Sequence, residues 1–147
     1  MIYGALYALS AGAGHSAQHA LAAIFKAAND GNFNFVNEVK VYGEKAHVMK
    51  EIFTRYGFKI VYDMDIDVPI ADGFYFTISY PGFIGVDLIE ELLYYGVSAI
   101  SLDITGSERL EGLRACVSQV SVDQFPVLEE RLNRFQIDHE VKQNLSK

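Results

Sequence analysis

The chain has 147 residues, half of them hydrophobic, with three prolines, one cysteine and a formal net charge of −7. That length and apolar share support one buried core and exclude a disordered chain, while the acidic balance argues against nucleic acid, whose phosphates demand clustered Lys and Arg. A single cysteine cannot close an intrachain disulfide, which fits a reducing cytoplasm.

The opening segment from Met1 to Leu9 is apolar but has no basic flank, and it is far shorter than the ~20 residues a membrane helix needs. Neither a signal, an anchor nor a membrane partner is expected. An apolar end of this kind suits a surface that meets another domain or subunit. From Ser10 to Ala17 the residues apart from His15 are small, and Gly12-x-Gly14-x-x-Ala17 formally matches a dinucleotide fingerprint. Such a fingerprint needs a second strand after its helix, ending in an acid for the ribose. Instead Phe35, Val39, Tyr42, Ala46, Met49, Phe53 and Tyr56 follow at spacings of four and three, which predicts a second helix and removes the nicotinamide reading. His15 and His19 lie one helical turn apart, but two ligands with no local acid or cysteine do not make a site, so no metal is expected. The first helix continues through Leu21, Ile24 and Phe25 and is capped at Gly31.

The long helix, from about Phe33 to Tyr56, carries its apolar seam inward, with His47 at the boundary. Gly57 ends it, and Phe58, Ile60 and Tyr62 alternate into a strand. Asp63, Asp65, Asp67 and Asp72 then gather around Pro69. A calcium loop is excluded because the glycine and the closing glutamate of an EF-hand are missing, so a solvated loop is expected.

From Gly73 to Val120 the pattern is strand, turn, helix, strand, loop, strand. Phe74, Phe76, Ile78 and Tyr80 alternate with Tyr75, Thr77 and Ser79. Pro81-Gly82 makes a turn, Ile84, Leu88, Ile89, Leu92 and Leu93 mark a helix, and Gly96 caps it. The segment from Val97 to Leu102 returns as a strand, a polar loop carries Glu108, Arg109 and Glu111, and Leu113 to Val120 closes as a strand in which Arg114 can leave the core. Cys116 is expected as inert packing in that strand. Asp123 is the expected cap of a last helix with Phe125, Leu128, Leu132 and Phe135 inward, and Pro126 is tolerated in its first turn. The tail from Glu140 to Lys147 lacks an apolar stripe and is expected to fray.

The motifs Gly73-Phe-Tyr-Phe76, Gly96-Val97, Gly106-Ser107 and Gly112-Leu-Arg114, in that order, resemble the C-terminal small domain of the class I/II, fold-type I pyridoxal-phosphate-dependent aminotransferases. Ser10 to Lys26 is similar to the family's loop and linking helix, and Phe33 to Tyr56 to its long helix. The stretch Ser101-Leu-Asp-Ile-Thr-Gly-Ser107 departs from the Pro-Gly step of many members. The resemblance implies an α+β fold, a mainly antiparallel four-stranded sheet at about 58–63, 73–80, 97–103 and 112–120 with helices on one face, preceded by two helices. It implies residues 1–14 as a linker from a large domain, 15–139 as the small domain and 140–147 as the tail.

On the same resemblance, Arg114 takes the substrate's α-carboxylate, and Ser10 and Ser16 approach the cofactor phosphate of a neighbouring subunit in a dimeric parent. The parent would exchange an amino group between an amino acid and a 2-oxo acid using pyridoxal phosphate. The Schiff-base lysine and phosphate cup lie elsewhere, so this chain alone is expected to be inactive and to hold no cofactor. The alternative from the residues themselves is a stand-alone α+β carboxylate-binding or dimerisation module, with Arg114 as its anchor or as a surface partner of Glu108 or Glu111.

Overall fold

The computed structural model describes residues 2–10, 12–70 and 73–145. They form two compact units, 1–40 and 41–147. In the first, α1 (Ile2–Ser10) occupies most of the segment read as a linker. Its Ala and Leu content favours helix, because these side chains lose little freedom on coiling. A second helix, α2 (His15–Asn29), ends where Gly31 turns to φ 75°, the left-handed conformation that glycine reaches without a Cβ clash. Asn34 starts α3 (Phe35–Arg55): its side-chain oxygen accepts the backbone N–H of Val36 at 3.0 Å and of Asn37 at 3.2 Å. Phe33 meets Phe35 edge-on at 4.8 Å.

The second unit is an α+β layer pair. Its four-stranded sheet has the order β1 (Lys59–Ile60), β4 (Tyr75–Ser79), β6 (Leu113–Cys116), β5 (Ile100–Ser101), antiparallel throughout. The remaining part of α3 packs on one face with α4 (Gly85–Tyr94) and α5 (Phe125–Leu145). The alternation of β4 is followed side by side: Phe76 and Ile78 are buried, while Tyr75, Thr77 and Ser79 are not. In β6, Leu113 and Ala115 are buried and Arg114 and Cys116 half-buried. The core joins Ile78, Leu88, Leu92, Leu113, Val117, Leu132 and Phe135, each side chain of this size contributing about 1.5–3 kcal/mol on full burial.

Several details differ from the sequence reading. The α3 seam is buried only from Ala46 onward, and Phe35 and Val39 are exposed. The acidic stretch after Tyr62 is not a loop but a small hairpin, β2 (Met64–Asp65) against β3 (Val68–Pro69), turning at Ile66 with φ 54°; Asp72 lies outside the described residues. Strands β5 and β6 are shorter than the apolar runs that announce them. Asp123 is not the cap of the last helix. A short 3-10 turn, Val122–Gln124, precedes α5; the Ser121 N–H donates to the Gln124 side-chain oxygen at 3.3 Å, and the Ser121 hydroxyl donates to Asp123. The inner face of α5 is as expected, with Phe125, Leu132 and Phe135 buried, and the helix continues to Leu145. Among the described residues no helix is long and apolar enough to cross a membrane.

Candidate functional site

The sheet face opposite the core is set by register. Thr77 stands across from Arg114 on one side and Ile100 on the other, and Tyr75 stands across from Cys116. Tyr75, Thr77, Ser79, Ile100, Arg114 and Cys116 therefore share this face, exposed or half-buried.

Arg114 is its charged centre. Its guanidinium carbon lies 4.4 Å from the centroid of the Tyr75 ring, within cation–π range. Its Nε is sealed from solvent and has no hydrogen-bond acceptor among the described residues. The alternative partner Glu111 belongs to Arg109, whose Nε donates to its Oε1 at 2.7 Å. The backbone N–H of Glu111, joined by the bond from Arg109, holds its carboxyl below the usual range against a smaller opposing effect of burial. Arg109 thus takes Glu111, and Arg114 has no ion pair among the described residues.

The loop that carries Arg109 is braced by aromatic and hydroxyl groups. The Tyr62 hydroxyl lies 2.7 Å from that of Ser107, the Arg109 guanidinium sits 5.6 Å from the Tyr62 ring centroid, and the Tyr62 N–H donates to Thr77 Oγ1 at 3.0 Å. Thr77, directly beside Arg114, is held in turn. Leu102 starts the 3-10 turn Asp103–Thr105, and Gly106 leaves it at φ 81°.

Cys116 corrects the expectation of inert burial. It is half-buried, its Sγ is 3.3 Å from the Ser118 hydroxyl, and it borders a cavity of about 420 Å³. Burial acts to raise its pKa, but the Ser118 hydroxyl, the backbone N–H groups of Gln119 and Ser118, and the charge of Arg114 together bring it below the ordinary thiol value. The cavity is apolar over Met49, Phe53, Val97 and Leu128, with Gln119 and Arg131 as polar rim. Arg131 is engaged, its Nη1 donating to the Gly96 carbonyl at 2.7 Å, and Arg114 does not line this cavity.

Ser10 and Ser16 belong to the first unit. Ser10 ends α1 and its Oγ accepts the Gly12 N–H at 3.4 Å; Ser16 is exposed in the first turn of α2. His15 and His19 are exposed on α2, and among the described residues no three metal-ligating side chains gather. Among the described residues no lysine lines the cavity; Lys26 pairs with Asp30 at 2.6 Å, and Lys45 and Lys50 lie over the Tyr42 and Phe76 rings, so these three do not fit an imine-forming role for pyridoxal phosphate. No reaction step is therefore assigned to that cofactor on these residues. What the open face can do is hold an anion, because a guanidinium with no carboxylate partner among the described residues offers parallel donors to one.

The Tyr75 contact and the half-exposed state of Cys116 were missed in the sequence. The alternation of β4 placed Tyr75 on the outer face, and only the β4–β6 register shows that it neighbours Arg114. No protein-family model matches the chain, and no curated protein matches it.

Proposed function

We propose that this chain is the substrate-binding small domain of a pyridoxal-phosphate-dependent aminotransferase of the class I/II type, with Arg114 holding the α-carboxylate of the amino acid or 2-oxo acid. The observation that carries the reading is Arg114 itself: a half-buried arginine at the centre of an uncovered sheet face, stacked on an aromatic ring and with no ion-pair partner among the described residues. A planar guanidinium can take both oxygens of a carboxylate and so fix the neighbouring α-carbon, whereas an ammonium offers a point charge. The order of the Gly73-Phe-Tyr-Phe76 and Gly112-Leu-Arg114 motifs supports the family assignment. In this reading the cofactor supplies the electron sink when bound to a catalytic domain in the parent, where Ser10 and Ser16 would approach its phosphate from a neighbouring subunit.

The test is amino transfer measured with a panel of amino donors on the longest natural polypeptide that contains this segment. Arg114→Lys should raise the KM for the donor and lower turnover roughly 10-fold or more, while cofactor absorbance is retained. Unchanged kinetics for every donor would return Arg114 to the surface. The absence of any longer polypeptide would favour the stand-alone carboxylate-binding module, in which the same arginine anchors the ligand.

A further inference from the structure

We infer that Tyr75 is the positioning residue of Arg114, orienting its guanidinium for a carboxylate ligand without neutralising it. This inference rests on the reading of Arg114 as a carboxylate anchor and concerns how that anchor is held.

The ladder places the two residues together. Tyr75 pairs with Cys116 and Thr77 with Arg114, so Tyr75 is the diagonal neighbour of Arg114 on the same face, a separation that an aromatic ring and a long side chain can bridge. The bridge is made, with the guanidinium carbon 4.4 Å from the ring centroid. A half-buried arginine is ordinarily steadied by a carboxylate, which holds it by spending its charge and its two parallel donors. Here no such carboxylate is found among the described residues, and the nearest acid in sequence, Glu111, is bound to Arg109. The ring performs the same orienting task through its negative face and forms no hydrogen bond with the terminal amino groups.

The sealed Nε points to the same division of labour. It is the one Arg114 nitrogen that is both closed to solvent and without an acceptor among the described residues, which leaves the two terminal amino groups as the ligand-facing end. The Arg114 guanidinium carbon lies over the Tyr75 ring, and the neighbouring Thr77 accepts the Tyr62 N–H at 3.0 Å. The proposed outcome is a cation steadied against the ring while its terminal amino groups stay available to a ligand. Tyr75 is 48% exposed, so its ring also borders the place where that ligand would lie.

The experiment uses the full chain labelled with 15N-arginine and acetate as the carboxylate probe. The Arg114 Nε–Hε resonance, assigned by its disappearance in Arg114→Lys, should be shifted upfield by the Tyr75 ring and should move on acetate titration. Tyr75→Phe should keep the shift and the affinity. Tyr75→Leu should lose the shift and weaken acetate binding roughly two- to fivefold, and Tyr75→Val carries the same test if the leucine variant does not fold. Acetate binding at wild-type strength in the ring-free variants would overturn the role of Tyr75 and leave Arg114 as the anchor. If acetate moved no Arg114 resonance in the wild-type chain, the anchor reading itself would fail and the inference with it.

Discussion

Burial alone raises the pKa of the Cys116 thiol, yet the local hydrogen bonds and Arg114 win, because Ser118 and two backbone N–H groups converge on the sulfur as β6 ends. The folded value is depressed, so the thiolate is favoured in the native state. The resulting stability is present above the unfolded thiol pKa and is lost as pH falls through the folded one. Alkylation by iodoacetamide should therefore show its midpoint below the ~8.5 of a free cysteine. Ser118→Ala should move that midpoint upward, and Arg114→Lys should move it less, since Lys keeps the charge. A midpoint at or above the free-thiol value in the wild-type chain would refute the balance described here. The Tyr95 hydroxyl is the opposite case: burial first, then the bond it donates to Asp138 at 2.8 Å and the charges of Asp138 and Glu91, push it up to about 12.

At the scale of elements, the start of α4 is set by a close backbone approach that only glycine allows. The Gly85 N–H donates to the Leu110 carbonyl at 2.7 Å, and a Cβ on Gly85 would lie 2.6 Å from the Gly112 carbonyl oxygen and 2.7 Å from the Ser101 hydroxyl. Gly112 is also close-packed, since its Cβ would meet the Leu102 side chain at 2.3 Å, a contact that the leucine would have to move to relieve. These two glycines let the helix entrance rest on the strands that carry Arg114. Gly85→Ala should destabilise the chain by about 1–3 kcal/mol through overpacking against backbone that cannot move aside, readable as a lower urea midpoint with an unchanged slope. Gly43 has open space around its Cβ position and lies within α3, so Gly43→Ala should stabilise by ~0.5–1 kcal/mol. If the two substitutions behaved alike, the close approach would not be the cause.

At the scale of the molecule, the second unit is held by an aromatic and aliphatic column in which α5 closes the sheet. Phe135 is fully buried, stacks on His139 at 4.2 Å, and meets Tyr80 and Tyr95 edge-on at 4.9 and 5.3 Å. His139, itself buried, binds the Phe135 carbonyl through Nδ1 at 2.7 Å and faces Glu91 of α4 through Nε2 at 3.2 Å. Arg55 ties α3 to Glu129 of α5 at 2.5 Å, an exposed pair that contributes little. Phe135→Ala should cost about 3–5 kcal/mol, since it leaves a cavity among rings that cannot all collapse into it. In thermal unfolding it should lower the midpoint far more than Arg55→Ala does.

The period-two alternation of Tyr75 to Tyr80, the apolar spacing in α4 and α5, and the glycines at 31, 57 and 96 were enough to place the central strand and the helices from α2 to α5, because each is a local consequence of backbone geometry, while the four-stranded sheet was expected from the family resemblance as well and α1 went unread. The same alternation put Arg114 on the outer face. What the sequence could not supply is which outer residues stand side by side: strand register depends on pairing between segments about 40 residues apart, and so the Tyr75–Arg114 stack, the engagement of Glu111 by Arg109 and the lowered Cys116 thiol emerge only in the tertiary structure. The shortness of β5 and β6 has the same origin, since a strand extends only as far as it has a neighbour to bond, a condition no single segment carries in its own residues; the hairpin after Asp63 is local, turning at Ile66.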